Sequence, residues 1–176
     1  MENTNEKAIR YLKDLHAAES GTADIFEGLS KDDDLESSLR QQASGWYQHT
    51  KGHASAIEQR LHALGGDNSS AKDFINNLIA KASDLTNIGH DNEDKLTQDL
   101  IKAYGGVGIL VGSYESLRAF ATVSGDNDLA QFAANGRSED EALAKEILTA
   151  IGRKAPTAAA NATDTGTTGT STSAVY

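Results

Sequence analysis

Within residues 6–29, Leu12, Leu15, Glu19, Thr22, Phe26 and Leu29 recur at alternating spacings of three and four. Residues so spaced share one face of a helix, so the segment predicts a packed helix with a carboxylate in its seam. A second seam, Leu39, Ala43, Trp46, Thr50, His53, Ile57 and Leu64, predicts a helix over 34–64. Asp33 or Asp34 is placed to cap it, and Glu36 puts an acid in its first turn. Residues 71–86 carry Phe74, Ile75, Leu78, Ile79, Ala82 and Leu85 on one side and predict a shorter amphipathic helix.

The segment 92–124 carries two adjacent stripes: Leu96, Leu100, Ala103, Val107, Leu110, Tyr114, Leu117 and Ala121, and beside them Ile101, Tyr104, Gly108, Val111, Glu115 and Ala119. So wide an apolar face predicts deep burial on both stripes. The glycines of 105–112 permit close helix approach or a local bulge. The last segment, 126–151, offers Leu129, Phe132, Gly136, Leu143, Ile147 and Ile151, interrupted on the inward side by Glu139 and Asp140.

Turn signals separate these segments at Gly28 to Asp34, Gly65-Gly66-Asp67-Asn68, the polar 86–93 stretch and Gly125-Asp126-Asn127. Short turns join the first long helix to the second and the third to the fourth, while a long connection holding the short helix joins the second to the third. That order predicts an all-α, ferritin-like four-helix bundle with one long crossover containing a short extra helix. After Pro156 the chain turns to threonine, alanine, glycine and serine with one charge, Asp164, which divides it into a bundle over 1–155 and a low-complexity tail over 156–176.

Composition narrows the chemistry. Thirty-eight per cent hydrophobic residues, 24% charged and a single proline fit a helical domain rather than a sandwich of short strands, and 176 residues suffice for one core. Twenty-six acidic against sixteen basic residues give a net charge of −10, so cations are the expected partners and nucleic acid and membrane are not. The absence of cysteine excludes disulfides, thiolate metal sites and a cysteine nucleophile, leaving oxygen and imidazole as metal ligands. The opening MENTNEKAIR lacks the apolar run of a signal peptide, and the apolar stretch 103–112 is half the length of a membrane span, so a cytoplasmic location is expected.

Ferritin-like bundles build a di-metal centre from one glutamate on each of two helices and a Glu-x-x-His pair on each of the others. Hard carboxylates bridge the cations and imidazoles complete their coordination. In this setting the chain resembles the YciE and YciF-like stress proteins of the ferritin-like superfamily. The likeness is carried by YLKDLHAAES at 11–20, HTKGHASAIEQRL at 49–61, NLIAKASDL at 77–85, GSYESLRAFATVSGD at 112–126 and EDEALAKEIL at 139–148. It implies metal-facing carboxylates at Glu19 and Glu115, ligands at His49 and His53, and an acidic pair at Asp140 and Glu141 with Glu139 as the register alternative. Iron or manganese, in a two-metal centre, is the cofactor it implies.

The chain departs from the family pattern at three points: His49 replaces a glutamate, Ser113 replaces a histidine, and the last helix has no histidine. At 1.5 Å per residue, the point on the second helix level with Glu19 falls at about residue 45, which gives His49 the better depth and His53 the better face. Structural readings stand beside each ligand reading: His16 as a tether for Glu19, an Arg118 ion pair for Glu115, a hydrogen-bonded core role for His53, and a solvated acidic turn for 139–141. The sequence thus carries two functional expectations. One is a metal-binding, stress-associated protein, homo-oligomeric, with weak oxidase or peroxide-consuming activity. The other is a metal-free bundle with a structural, self-assembling role, its C-terminal tail docking on neighbouring chains.

Overall fold

A computed structural model describes residues 3–67 and 92–164 of the chain. The helix expected at 71–86, and the end of the tail at 165–176, lie outside the described residues.

Four helices, α1 (Thr4–Lys31), α2 (Ser37–Ala63), α3 (Asn92–Ser124) and α4 (Asn127–Asp164), make up the described fold. Asn3 starts α1 with a capping box: its side chain accepts from the Glu6 N–H, and its own N–H donates to the Glu6 carboxylate, both at 2.9 Å. The α1–α2 turn differs from expectation. The cap position of α2 is Glu36, which makes no side-chain cap bond, rather than Asp33 or Asp34. Asp32 instead accepts from the Asp34 N–H at 3.0 Å, Asp33 pairs with Arg40 at 2.8 Å, and Leu35 is buried, so the chain must turn its apolar residue inward before the helix starts. Between α3 and α4, Gly125 takes φ 79°, a conformation that side chains with a Cβ rarely adopt. The Asp126 N–H returns to the Ala121 carbonyl at 2.9 Å while the Asp126 carboxylate caps α4 through the Leu129 N–H at 2.9 Å.

The composition-based boundary at 155/156 falls inside a helix, because α4 continues through Pro156 to Asp164. A proline inside a helix loses one backbone bond and crowds the preceding turn, at about 3 kcal/mol, and the alanines at 155, 158, 159, 160 and 162 are strong helix formers on either side of it. Lys154 of α4 pairs with Glu36 at the start of α2, which ties this end of the helix to the bundle.

α1 packs on α2 and α3, and α3 on α4, while α2 and α4 approach each other only lightly. Among the described residues the interior has a small apolar cluster, Ala17, Ala18 and Leu110, and two larger ones. One gathers Phe26, Leu29, Leu39, Trp46, Leu100, Val107, Leu143 and Ile147; the other gathers Leu12, Leu15, Ile57, Leu61, Tyr114, Leu117 and Leu129. Along α1 the two are separated by a polar layer, with Glu19 and Thr22 lying between Leu15 and Phe26 and both buried. No helix among the described residues is long and apolar enough to cross a membrane.

The double-striped reading of 92–124 is corrected. The stripe from Leu100 to Ala121 is buried, but on the other Ile101 is 48% and Tyr104 37% exposed, since α1 and α4 cover one side of α3 only. Leu110→Ala is therefore expected to cost about 2–5 kcal/mol, and Ile101→Ser to change the melting temperature little. Thermal melts of the two variants check the assignment.

Candidate metal centre

The polar layer takes its side chains from all four helices. Glu19 of α1 and Asp140 of α4 are fully buried, and His53 of α2 stands between them. Glu19 Oε1 lies 3.0 Å from His53 Nδ1 and accepts from the Tyr114 hydroxyl of α3 at 2.9 Å. Asp140 Oδ1 lies 3.5 Å from the same His53 nitrogen and 3.3 Å from His49 Nε2. The other face of His53, Nε2, meets Glu139 at 2.7 Å. The two imidazoles touch with centroids 4.2 Å apart and planes tilted by 53°, as residues one turn apart on α2 can.

Exposure rises outward through this set. Glu19 and Asp140 side chains are 0% exposed, His53 is 14%, His49 30% and Glu139 57%. Two triads share His53: an inner one of Glu19, His53 and Asp140, and an outer one of His49, His53 and Glu139, each with its ligand atoms within 4.8 Å of one another. His49 and Glu139 of the outer triad border a groove of about 450 Å³ between α2 and α4, lined also by Gln42, Trp46, Leu143 and Glu146 among others. This opening follows from the light α2–α4 contact, and the Trp46 indole N–H donating to Glu146 at 2.9 Å crosses it.

Charge in the layer is strongly perturbed. Burial pushes the Glu19 carboxyl above the ordinary carboxylate range, with the neighbouring charge of Asp140 adding to the rise against hydrogen bonds from His53 and Tyr114. Burial alone would lower His53, but bonds and charges from Glu19, Glu139 and Asp140 outweigh it and raise the imidazole to about 9. Burial, then Glu19, raises the Tyr114 phenol, so it stays a neutral donor. Among the described residues, Glu19 Oε2 and Asp140 Oδ2 are buried with no hydrogen-bond partner. Buried polar atoms are ordinarily satisfied. Two carboxyl oxygens left so, beside an imidazole, fit a cation bound by oxygen and nitrogen.

Of the residues the sequence singled out, Glu19, His49, His53, Glu139 and Asp140 come together. Glu115 and Glu141 do not join them. The inward orientation expected for Glu115 is corrected: it lies on the outer stripe of α3, 42% exposed, bonded by Arg118 at 2.6 and 2.8 Å and by Arg137 at 3.0 Å. Arg118, then Arg137, hold its carboxyl down at about 2. Glu141 faces the same side, 3.6 Å from Arg137. Of the acidic pair Asp140 and Glu141 that the resemblance implies, Asp140 joins the set and Glu141 does not, while Glu139, the register alternative, lies against His53. Sequence reasoning passed over Tyr114 as an ordinary core aromatic; its one signal was a hydroxyl-tipped ring midway along an otherwise aliphatic seam.

The family model described as a domain of unknown function, DUF892, matches residues 3–160. A solved protein from Xanthomonas campestris pv. campestris superposes with a TM-score of 0.75 at 15% identity, covering 92% of this chain and 99% of that one. A structure of ferritin-like, diiron-carboxylate proteins from Bacillus anthracis gives 0.68 at 12% identity, covering 86% and 99%. YcfI from Rhodopseudomonas palustris, named as a candidate structural protein, gives 0.69 at 17% identity, covering 84% and 94%. No curated protein sequence matches this one significantly. At such identities the structural likeness establishes the fold, which is ferritin-like.

Proposed function

The chain belongs to the DUF892 family, and for this member we propose a ferritin-like bundle that binds one divalent first-row cation, iron or manganese, in its central polar layer. Glu19, His53 and Asp140 would hold the ion, with His49 and Glu139 on its solvent side. The observation that carries the reading is the pair of fully buried carboxylate oxygens, Glu19 Oε2 and Asp140 Oδ2, that no protein donor satisfies. Mixed carboxylate and imidazole ligation suits iron and manganese. An ion held there supplies redox chemistry toward oxygen or peroxide, in keeping with a stress-associated role. The protein's own contribution is to bury the anionic ligands and leave the α2–α4 groove as the approach for a small molecule.

One cation rather than two is favoured by α3, which contributes the neutral Tyr114 where a two-metal centre needs a fourth set of ligands, while Glu115 is held by two arginines. That departure also supports the second reading, a bundle that has lost its centre and serves a structural role, as proposed for its Rhodopseudomonas neighbour. Reconstitution separates them. Purified protein incubated anaerobically with Fe(II) or Mn(II) and desalted is expected to retain up to one ion per chain by elemental analysis and to melt at a higher temperature. No retained metal and unchanged melting would favour the structural reading. In that case deletion of 156–176 followed by sizing asks whether the tail holds copies together.

A further inference from the structure

Tyr114 is the side chain that α3 sends into the polar layer, and its placement has a cost elsewhere. It is 1% exposed, its hydroxyl donates to Glu19 Oε1 at 2.9 Å, and its ring edge stands at 81° to the His53 imidazole with centroids 5.8 Å apart. To reach Glu19 the ring passes directly against the backbone of α4. A Cβ built on Gly136 would lie 2.4 Å from ring Cε1 and 2.5 Å from Cζ, separations that no methyl group tolerates. Glycine inside a helix costs about 1 kcal/mol relative to alanine, and here the empty space it leaves is filled by the phenol.

The consequence falls on Glu19. The terminal torsion of a glutamate is broad and nearly two-fold, so either oxygen can face a ligand unless something fixes it. Oε1 is committed to Tyr114 and His53, and Oε2 is left without a partner. Of the two partners, an imidazole that ligates a cation must give up a proton, whereas a neutral phenol keeps its donor. Tyr114 also adds no charge to a layer that already holds two buried carboxylates.

We infer that Tyr114 is the positioning residue of this centre: its hydroxyl pins Glu19 Oε1, so that Oε2 is the oxygen presented to the cation, in a clearance that Gly136 provides. The inference rests on the cation reading above and deepens it, because it assigns a role to a residue that is not itself a ligand. Partners of this kind, outside the ligand set, change metal affinity by about 10–100-fold when removed.

The test is a titration of the full-length protein with Mn(II), followed by calorimetry, together with the visible spectrum of the Co(II)-loaded protein. Tyr114→Phe removes only the hydroxyl. It is expected to weaken Mn(II) binding about 10–100-fold with the stoichiometry unchanged, to alter the Co(II) absorption bands, and to leave the far-ultraviolet circular dichroism of the metal-free protein as in wild type. Gly136→Ala is expected to weaken Mn(II) binding at least as much. Added to Tyr114→Leu, whose side chain has no ring to collide with, Gly136→Ala is expected to cost nothing further. An affinity of Tyr114→Phe within twofold of wild type, with an unchanged Co(II) spectrum, overturns the inference while leaving the cation reading in place. A Gly136→Ala loss of the same size in both backgrounds overturns the clearance argument. Wild-type protein that binds no Mn(II) overturns the cation reading itself.

Discussion

Alanine at His53 is expected to abolish retention of iron or manganese. His53 is the one side chain common to both triads, with Nδ1 toward Glu19 and Asp140 and Nε2 toward Glu139. Its loss removes a nitrogen donor from each triad and leaves two buried carboxylates facing each other without an imidazole between them. Affinity should fall by more than the roughly 100-fold at the upper end for residues outside the ligand set. Removing one partner of a buried charged pair also costs about 3–5 kcal/mol, so folding has to be checked separately. Asp140→Asn provides that check, since it keeps the shape of the side chain while removing its charge. It should also lose the metal. Glu115→Ala is the contrasting variant: its partners are Arg118 and Arg137 at the surface, and metal retention should be unchanged. Elemental analysis of desalted protein reads all three, and retention by His53→Ala equal to wild type would place the metal elsewhere.

The metal-free protein is expected to lose stability as pH rises from neutrality to mildly alkaline. Folding raises the His53 imidazole from its ordinary 6.5 to about 9, because Glu19, Glu139 and Asp140 surround it. A group whose folded value is raised stabilises the fold fully below its unfolded value and loses that contribution as pH climbs through the folded one. The window is therefore between about 6.5 and 9. Glu19, also raised, acts in the same sense, since ionising it inside the bundle opposes its burial. Discounted for the solvent that reaches the imidazole, the His53 contribution is about 2 kcal/mol. That corresponds to roughly 4–8 °C in melting temperature for a protein of this size. Saturating Mn(II) supplies positive charge in place of the proton and adds about 2.7 kcal/mol at a hundredfold excess over the dissociation constant, so the loaded protein should show a flatter profile. Melts of chelator-treated and Mn(II)-saturated samples from pH 6 to 9.5 make the comparison. A metal-free melting temperature independent of pH across that range would contradict a charged cluster around His53.

Seam periodicity alone located all four long helices, with the third bounded at the same residues, 92 and 124, that the structure shows. Periodicity also put Glu19, Glu139 and Asp140 inward; Glu19 and Asp140 are buried there, whereas Glu139, one residue or about 100° round α4 from Asp140, is 57% exposed. The ferritin-like order of the bundle was legible in the same way, from short turns around one long connection.

What periodicity leaves open is the rotation of a helix that is apolar on more than one side. On α3 the Tyr114 and Glu115 stripes are one residue, or about 100°, apart, and each looked equally suited to the interior. The choice was made by which side α1 and α4 cover, and by Arg137, which lies 22 positions from Glu115 in the chain and claims its carboxylate. Likewise α2 offered His49 for its depth and His53 for its face, and the fold uses both because the light α2–α4 contact leaves room for two adjacent imidazoles. The extension of α4 past Pro156 shows the same limit, since composition marks where a chain turns polar but not where its backbone stops being helical. Local sequence determined the helices and the polarity of their faces. Tertiary contact decided which of two competing faces is buried, and so which carboxylates share a histidine, because that choice depends on atoms from helices far apart in the chain.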